Sequence, residues 1–253
     1  MPMTRLALAL SLALAAPASA QTSPPATVPF LPGERMEYAV SYGVLPAGTM
    51  SLEVEDLEEY NGRPAYHFVM EAKSNRAVSF VFEMATEEES WFDARELYSL
   101  RYRREMTEND KERDKDVRYD QARNIRIENG ESKPASPRAV DPIASMYYLR
   151  TLTPRVGATY VLRNQADPGD NPVTVKILKR ERIRVPAGTF DTFVVDLDVK
   201  TNNGLFRKGG ENRIWVTADA RRIPVKISSK VGLGSFQAEL VDYVRGSPVD
   251  FAR

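Results

Sequence analysis

The chain is expected to be mainly β: a large antiparallel sheet, curved or barrel-like, with one amphipathic helix packed on it. Three observations predict this. Apolar and polar residues alternate through about a dozen short stretches, the period of half-buried strands. Turn signals rich in Gly, Pro and Asn separate those stretches. Only one segment carries the start and stop signals of a longer helix. A purely parallel sheet would need a crossover helix between most strands, so antiparallel connections are expected.

The 253 residues open on an export signal. Arg5 supplies a positive n-region, Leu6–Ala16 an apolar run, and Pro17-Ala18-Ser19-Ala20 an A-x-A cleavage pattern before Gln21. The run is too short for a membrane span, which needs about 20 residues. Residues 1–20 are therefore read as a signal peptide cleaved near Ala20, and the product as periplasmic or secreted. Residues 21–30 are a proline-rich leader, 31–246 a single β-rich domain and 247–253 a C-terminal tail. No transmembrane segment is expected in the mature chain. With no cysteine, the chain has neither a lipidation site nor disulfides, so stability must come from a core. Thirty-five basic residues balance 35 acidic ones. That neutrality argues against nucleic acid as a partner.

In "MEYAVSYGV", Met36, Tyr38, Val40, Tyr42 and Val44 share one face. Met50, Leu52 and Val54 alternate likewise after it, so the two stretches read as a hairpin. Between them lies Pro46-Ala47-Gly48-Thr49, and the same four residues recur at Pro186-Ala187-Gly188-Thr189. Proline suits the first corner of a type I turn and glycine the left-handed position after it. Both copies are thus read as three-residue hairpin turns rather than as binding loops. Further strands are expected at Tyr66–Met70, at Val78–Met84, either side of the charged stretch Thr107–Asp116, and in the alternating runs after Thr159. "GLGSF" at Gly232–Phe236 reads as a bend before the last strand. The helix is "DPIASMYYLRTL": Asp141 caps it, Pro142 takes the first position, Ile143, Met146, Tyr147 and Arg150 form one stripe, and Pro154 stops it.

Catalytic constellations are scarce. His67 is the single histidine, so no multi-histidine metal site is available, and it sits in a strand with no serine or carboxylate beside it in sequence. Asp110, Asp114, Asp116 and Asp120 are interleaved with bases and read as a solvated hairpin tip, not a calcium loop. Asp196 and Asp198 share a strand face, as exposed acidic pairs often do. No catalytic residue, cofactor or metal is assigned. The protein is read as a non-enzymatic binding or carrier module, with an envelope interaction domain as the alternative. A hydrolase ranks last for want of a nucleophile with its base. The remaining candidates line a concave apolar face: Tyr38, Tyr42, Phe80, Phe82, Met84, Met146 and Tyr147, around either a ligand cavity or a packed core. Expected partners are a lipid or amphipathic small molecule or, if the core is packed, an envelope protein.

Taken together, "LPGERMEYAVSYGVLPAGTMSLEV", "DPIASMYYLR", "VPAGTFDTFVVDLDV" and "WVTADARRIPVKISSKVGLGSFQAEL" resemble an exported bacterial domain-of-unknown-function family over about residues 31–245. That family's pattern has two acidic residues before R-R-I-P. Here Thr217-Ala218-Asp219-Ala220 keeps one. The resemblance implies a curved β fold in an envelope compartment and no catalytic residues. Half-barrel lipoprotein carriers, in which a sheet wraps helices, offer an analogy of fold alone.

Overall fold

The computed structural model describes residues 27–79, 83–201, 205–231 and 234–248. The expected export signal, most of the expected leader and C-terminal tail, and Phe80 and Phe82 lie outside them. The first half of the chain forms β1 (Glu34–Tyr42), β2 (Leu45–Tyr60), β3 (Arg63–Ser74), a helical turn α1 (Arg76–Ser79), β4 (Met84–Asp93), β5 (Ser99–Glu108), β6 (Lys111–Glu112), β7 (Lys115–Asp120), β8 (Ile125–Glu128) and β9 (Glu131–Pro134). Helix α2 (Pro142–Thr151) follows. The second half forms β10 (Thr159–Leu162), β11 (Val173–Val185), β12 (Gly188–Asp198), β13 (Glu211–Thr217), β14 (Pro224–Val231) and β15 (Gly234–Val244).

All the strands join one 15-stranded sheet in the order β10-β11-β12-β13-β14-β15-β1-β2-β3-β4-β5-β7-β8-β9, with β6 on β5. Every ladder is antiparallel. The sheet is a meander cut once. Its last strand pairs with its first, and its two free edges, β9 and β10, flank the helix. A parallel bridge between Val140 and Gln165 draws the chain on either side of α2 together at that seam. The sheet curls around the helix. One side of α2 meets β3 and β4, while its last turn faces Val175, Ile177, Val195 and Ile214 of β11–β13.

Alternation fixes which face turns inward. Met36 and Tyr38 of β1, Met50, Leu52 and Val54 of β2, and Phe68 and Met70 of β3 are buried. Helix α2 is as expected: Asp141 accepts the Ile143 and Ala144 amides, and Ile143, Ala144, Met146, Tyr147 and Arg150 are buried.

Three local expectations need correction. The β1–β2 turn is Gly43–Val44, with Gly43 at φ 58°, and Pro46-Ala47-Gly48 lies inside β2. There Val40 faces Gly48 and Ser41 faces Pro46, so Ala47 is an extra residue, a bulge. Asn75 holds it, donating its amide to the Ala47 carbonyl at 2.9 Å and its side chain to the Pro46 carbonyl at 2.8 Å. Gly48 is needed because a Cβ there would lie 2.1 Å from the Lys73 carbonyl oxygen of β3. The second copy does turn the chain, but in two residues: Val185 pairs with Gly188, whose φ is 138°. Its Ala187 amide reaches across to the Leu240 carbonyl of β15 at 2.9 Å, next to the bulge in β15 where the β1 register slips between Glu37 and Tyr38. Lastly, the expected strand from Val78 starts as a helical turn, α1, whose Ser79 amide bonds the Asn75 carbonyl at 2.9 Å, and extended structure resumes at Met84.

Candidate functional site

The helix is pinned inside the sheet at both ends by buried charge. At its start, the Asp141 carboxylate accepts the Ser90 and Ser99 hydroxyls, each at 2.5 Å, besides the two helix amides. Burial pushes its carboxyl above the usual range against the pull of those four bonds. At its end, Arg150 is 2 % exposed, and its guanidinium spans Glu34 of β1 at 2.5 and 3.1 Å, the Pro29 carbonyl at 3.2 Å and the Arg221 carbonyl at 2.9 Å. Burial disfavours that charge, but Glu34 more than offsets it, holding the guanidinium above its ordinary range. One side chain thus ties the helix, the first strand, the leader and the β13–β14 turn together.

Between these pins the interior has two characters. On the β1–β4 side, aromatic rings interlock. Phe68 stacks on Tyr147 with centroids 3.9 Å apart, and Phe30 sets its edge against Tyr66, Phe68 and Tyr147 at 5.2–5.4 Å. Phe92 packs beside Phe68 at 5.6 Å. Tyr38 belongs to this core, its hydroxyl donating to the Pro224 carbonyl at 2.8 Å. Tyr38, Met146 and Tyr147 are buried within it, so they line packed core rather than open space. Met84 is half-buried at the start of β4. Tyr42 lies outside, 59 % exposed.

On the β11–β13 side the wall is aliphatic. Val175, Ile177, Val195, Ile214 and Val216 face Leu149, Leu152 and Pro154 across a narrow groove whose free volume is about 20 Å³, with Arg150 and Arg222 at its border. That is space for about one water molecule. Arg222 donates to the Arg150 carbonyl at 2.8 Å, and among the described residues no carboxylate pairs with it. Sequence reading missed this groove because β-branched alternation looks the same whether it faces a core or a gap. The position of Arg150 on the apolar stripe of α2 was a usable signal of buried charge.

Outside the sheet, His67 lies between two carboxylates from neighbouring strands, Glu55 at 3.1 Å and Glu89 at 3.0 Å, and stacks on Trp91. Asp196 sits 3.7 Å from Arg213, and Asp198 bonds Lys200 at 3.0 Å, so each has its own cation. Among the described residues no three His, Cys, Asp or Glu side chains are placed to hold a metal ion. No helix there is long and apolar enough to cross a membrane, which leaves open what strands do.

The family model for DUF3108, a protein of unknown function, matches residues 37–241. No curated protein matches the sequence. Among solved structures, a β-barrel-like protein of the domain of unknown function DUF1849 from Brucella abortus is similar, with 13% identity and a TM-score of 0.56 over 87% of this chain and 100% of that one. That likeness shows a shared barrel-like fold. A candidate lipoprotein from Parabacteroides distasonis (12% identity, TM-score 0.37, 86% and 99% coverage) and a candidate exported protein with a YmcC-like fold from Bacteroides fragilis (12%, 0.33, 87% and 100%) match too distantly to argue from.

Proposed function

The chain belongs to the DUF3108 family, and we propose that it is a non-enzymatic binding module of the cell envelope that takes an apolar or amphipathic molecule into the groove beside the end of α2. The export signal at Met1–Ala20 supports the compartment. The groove carries the reading: eight aliphatic or proline side chains converge on a space of about 20 Å³ beside the last turn of the helix. In its present shape the groove is collapsed. A guest enters by displacing Leu152–Pro154, the segment leaving the helix, which holds the groove's outer wall. Arg222 then offers a cation to a polar head at the border.

A second reading, an envelope interaction domain with a packed core, is favoured by the interlocked rings on the β1–β4 side. Titration with N-phenyl-1-naphthylamine separates the two. The binding module enhances the dye's fluorescence, and Val216→Phe, which fills the groove, removes the enhancement. A folded protein that leaves the dye unaffected supports the packed domain instead.

A further inference from the structure

We propose that the β1–β2 hairpin tip is a membrane-contacting element that seats Val44 and Leu45 in an anionic lipid surface, whatever the groove holds. The tip is the most exposed apolar feature among the described residues. Val44 is 95 % exposed, Leu45 63 % and Tyr42 59 %. An exposed valine alone needs no explanation, but three adjoining apolar side chains on one protrusion form a patch. No charged residue occurs from Ala39 to Leu52, a long uncharged run in a chain where 28% of residues are charged.

The tip is also built to be held out. The Gly43 amide bonds the Ser235 carbonyl of β15 at 2.8 Å on one side, and Asn75 ties the Pro46–Ala47 bulge to the end of β3 on the other. The Tyr42 ring lies directly on Gly234, where a Cβ would come 1.9 Å from its hydroxyl oxygen. Apolar side chains on a fixed protrusion lose little further entropy when they insert, which favours a preorganised contact.

Charge selects the occupant. At the same end of the sheet, Lys73 faces Thr49 of the hairpin, Arg76 opens α1, and Lys230 faces Ser235. All three are exposed, and among the described residues none has a carboxylate within ion-pair distance. Glu211, opposite Lys230 on β13, is the nearest acid in register. An apolar point collared by unpaired cations matches the chemistry of an anionic bilayer, whose interior accepts Val44 and Leu45 while its headgroups meet the collar.

The test sediments the naturally processed protein with vesicles of phosphatidylethanolamine and phosphatidylglycerol, and with vesicles of phosphatidylcholine alone. The protein is expected to pellet with the anionic vesicles and less with the neutral ones. Val44→Asp and Leu45→Asp each lower the bound fraction about tenfold, while Val161→Asp, at an exposed apolar site on β10, leaves it unchanged. In Val44→Trp, tryptophan emission shifts to the blue on adding anionic vesicles. No pelleting of the wild type, or pelleting that Val44→Asp leaves intact, overturns the proposal. Self-association in the absence of vesicles that Val44→Asp abolishes also overturns it, since the tip would then be a protein interface.

Discussion

The two sides of the interior are built from the same alternating strands, yet one is filled by interlocked rings and the other by shorter aliphatic side chains around a small gap. On the β1–β4 side, Phe30, Tyr66, Phe68, Phe92 and Tyr147 fill space with large flat rings whose edge-to-face and stacked contacts fix one arrangement. On the β11–β13 side, Val175, Ile177, Val195 and Ile214 are shorter and, although buried, leave a space of about 20 Å³ beside the last turn of α2. The small space beside α2 lies on the aliphatic side, where side chains are shorter. The first side is scaffold and the second carries the proposed function.

The buried joint between the sides should give the largest effect. Arg150→Met leaves Glu34 buried without its cation and costs about 3–5 kcal/mol in urea unfolding. Adding Glu34→Gln recovers part of it, since the stranded charge is the main penalty. Little loss from Arg150→Met alone would mean the pair contributes little to joining the sides. Phe68→Ala, in the ring cluster, also costs about 3–5 kcal/mol. A much smaller loss would show that this side is not the rigid one.

The same leucine truncation sharpens the contrast. Leu52→Ala, 1 % exposed on the ring-filled side, costs about 2–5 kcal/mol. Leu149→Ala, half-buried at the groove, costs about 1 kcal/mol because a partly exposed leucine has less buried apolar surface to lose. Equal losses would erase the distinction. Val216→Phe is expected to remove dye binding at a cost of about 1–3 kcal/mol, because the ring overfills a space of about 20 Å³.

The repeated Pro-Ala-Gly-Thr shows where sequence reading stops. Its glycine is required twice for different reasons: Gly48 by the Lys73 carbonyl of β3 pressing on it, and Gly188 by its own positive φ. Only the second reason is local, so only the second turn was legible. At the first copy a neighbouring strand moved the corner to Gly43–Val44. Strand alternation and the Asp141–Pro142 start of the helix were legible because period and capping are local properties. The Glu34–Arg150 pair joins residues 116 positions apart. Each partner stood on an apolar face, in phase with Met36 and Tyr38 or with Met146 and Tyr147, and that shared misfit was the available clue. Of the candidate site residues, Tyr38, Met146 and Tyr147 lie in the ring-rich core, where Tyr147 stacks on Phe68, while Tyr42 is exposed and Phe80 and Phe82 lie outside the described residues.

Methyl NMR of the Ile-, Leu- and Val-labelled protein, titrated with a short-chain amphiphile such as laurate, addresses the contrast most directly. Signals of Leu149, Leu152, Val175, Ile177, Val195 and Ile214 should shift together and saturate, while those of Leu52, Val54 and Leu240 stay in place. Shifts spread evenly through both sets, or confined to the second, would contradict the account.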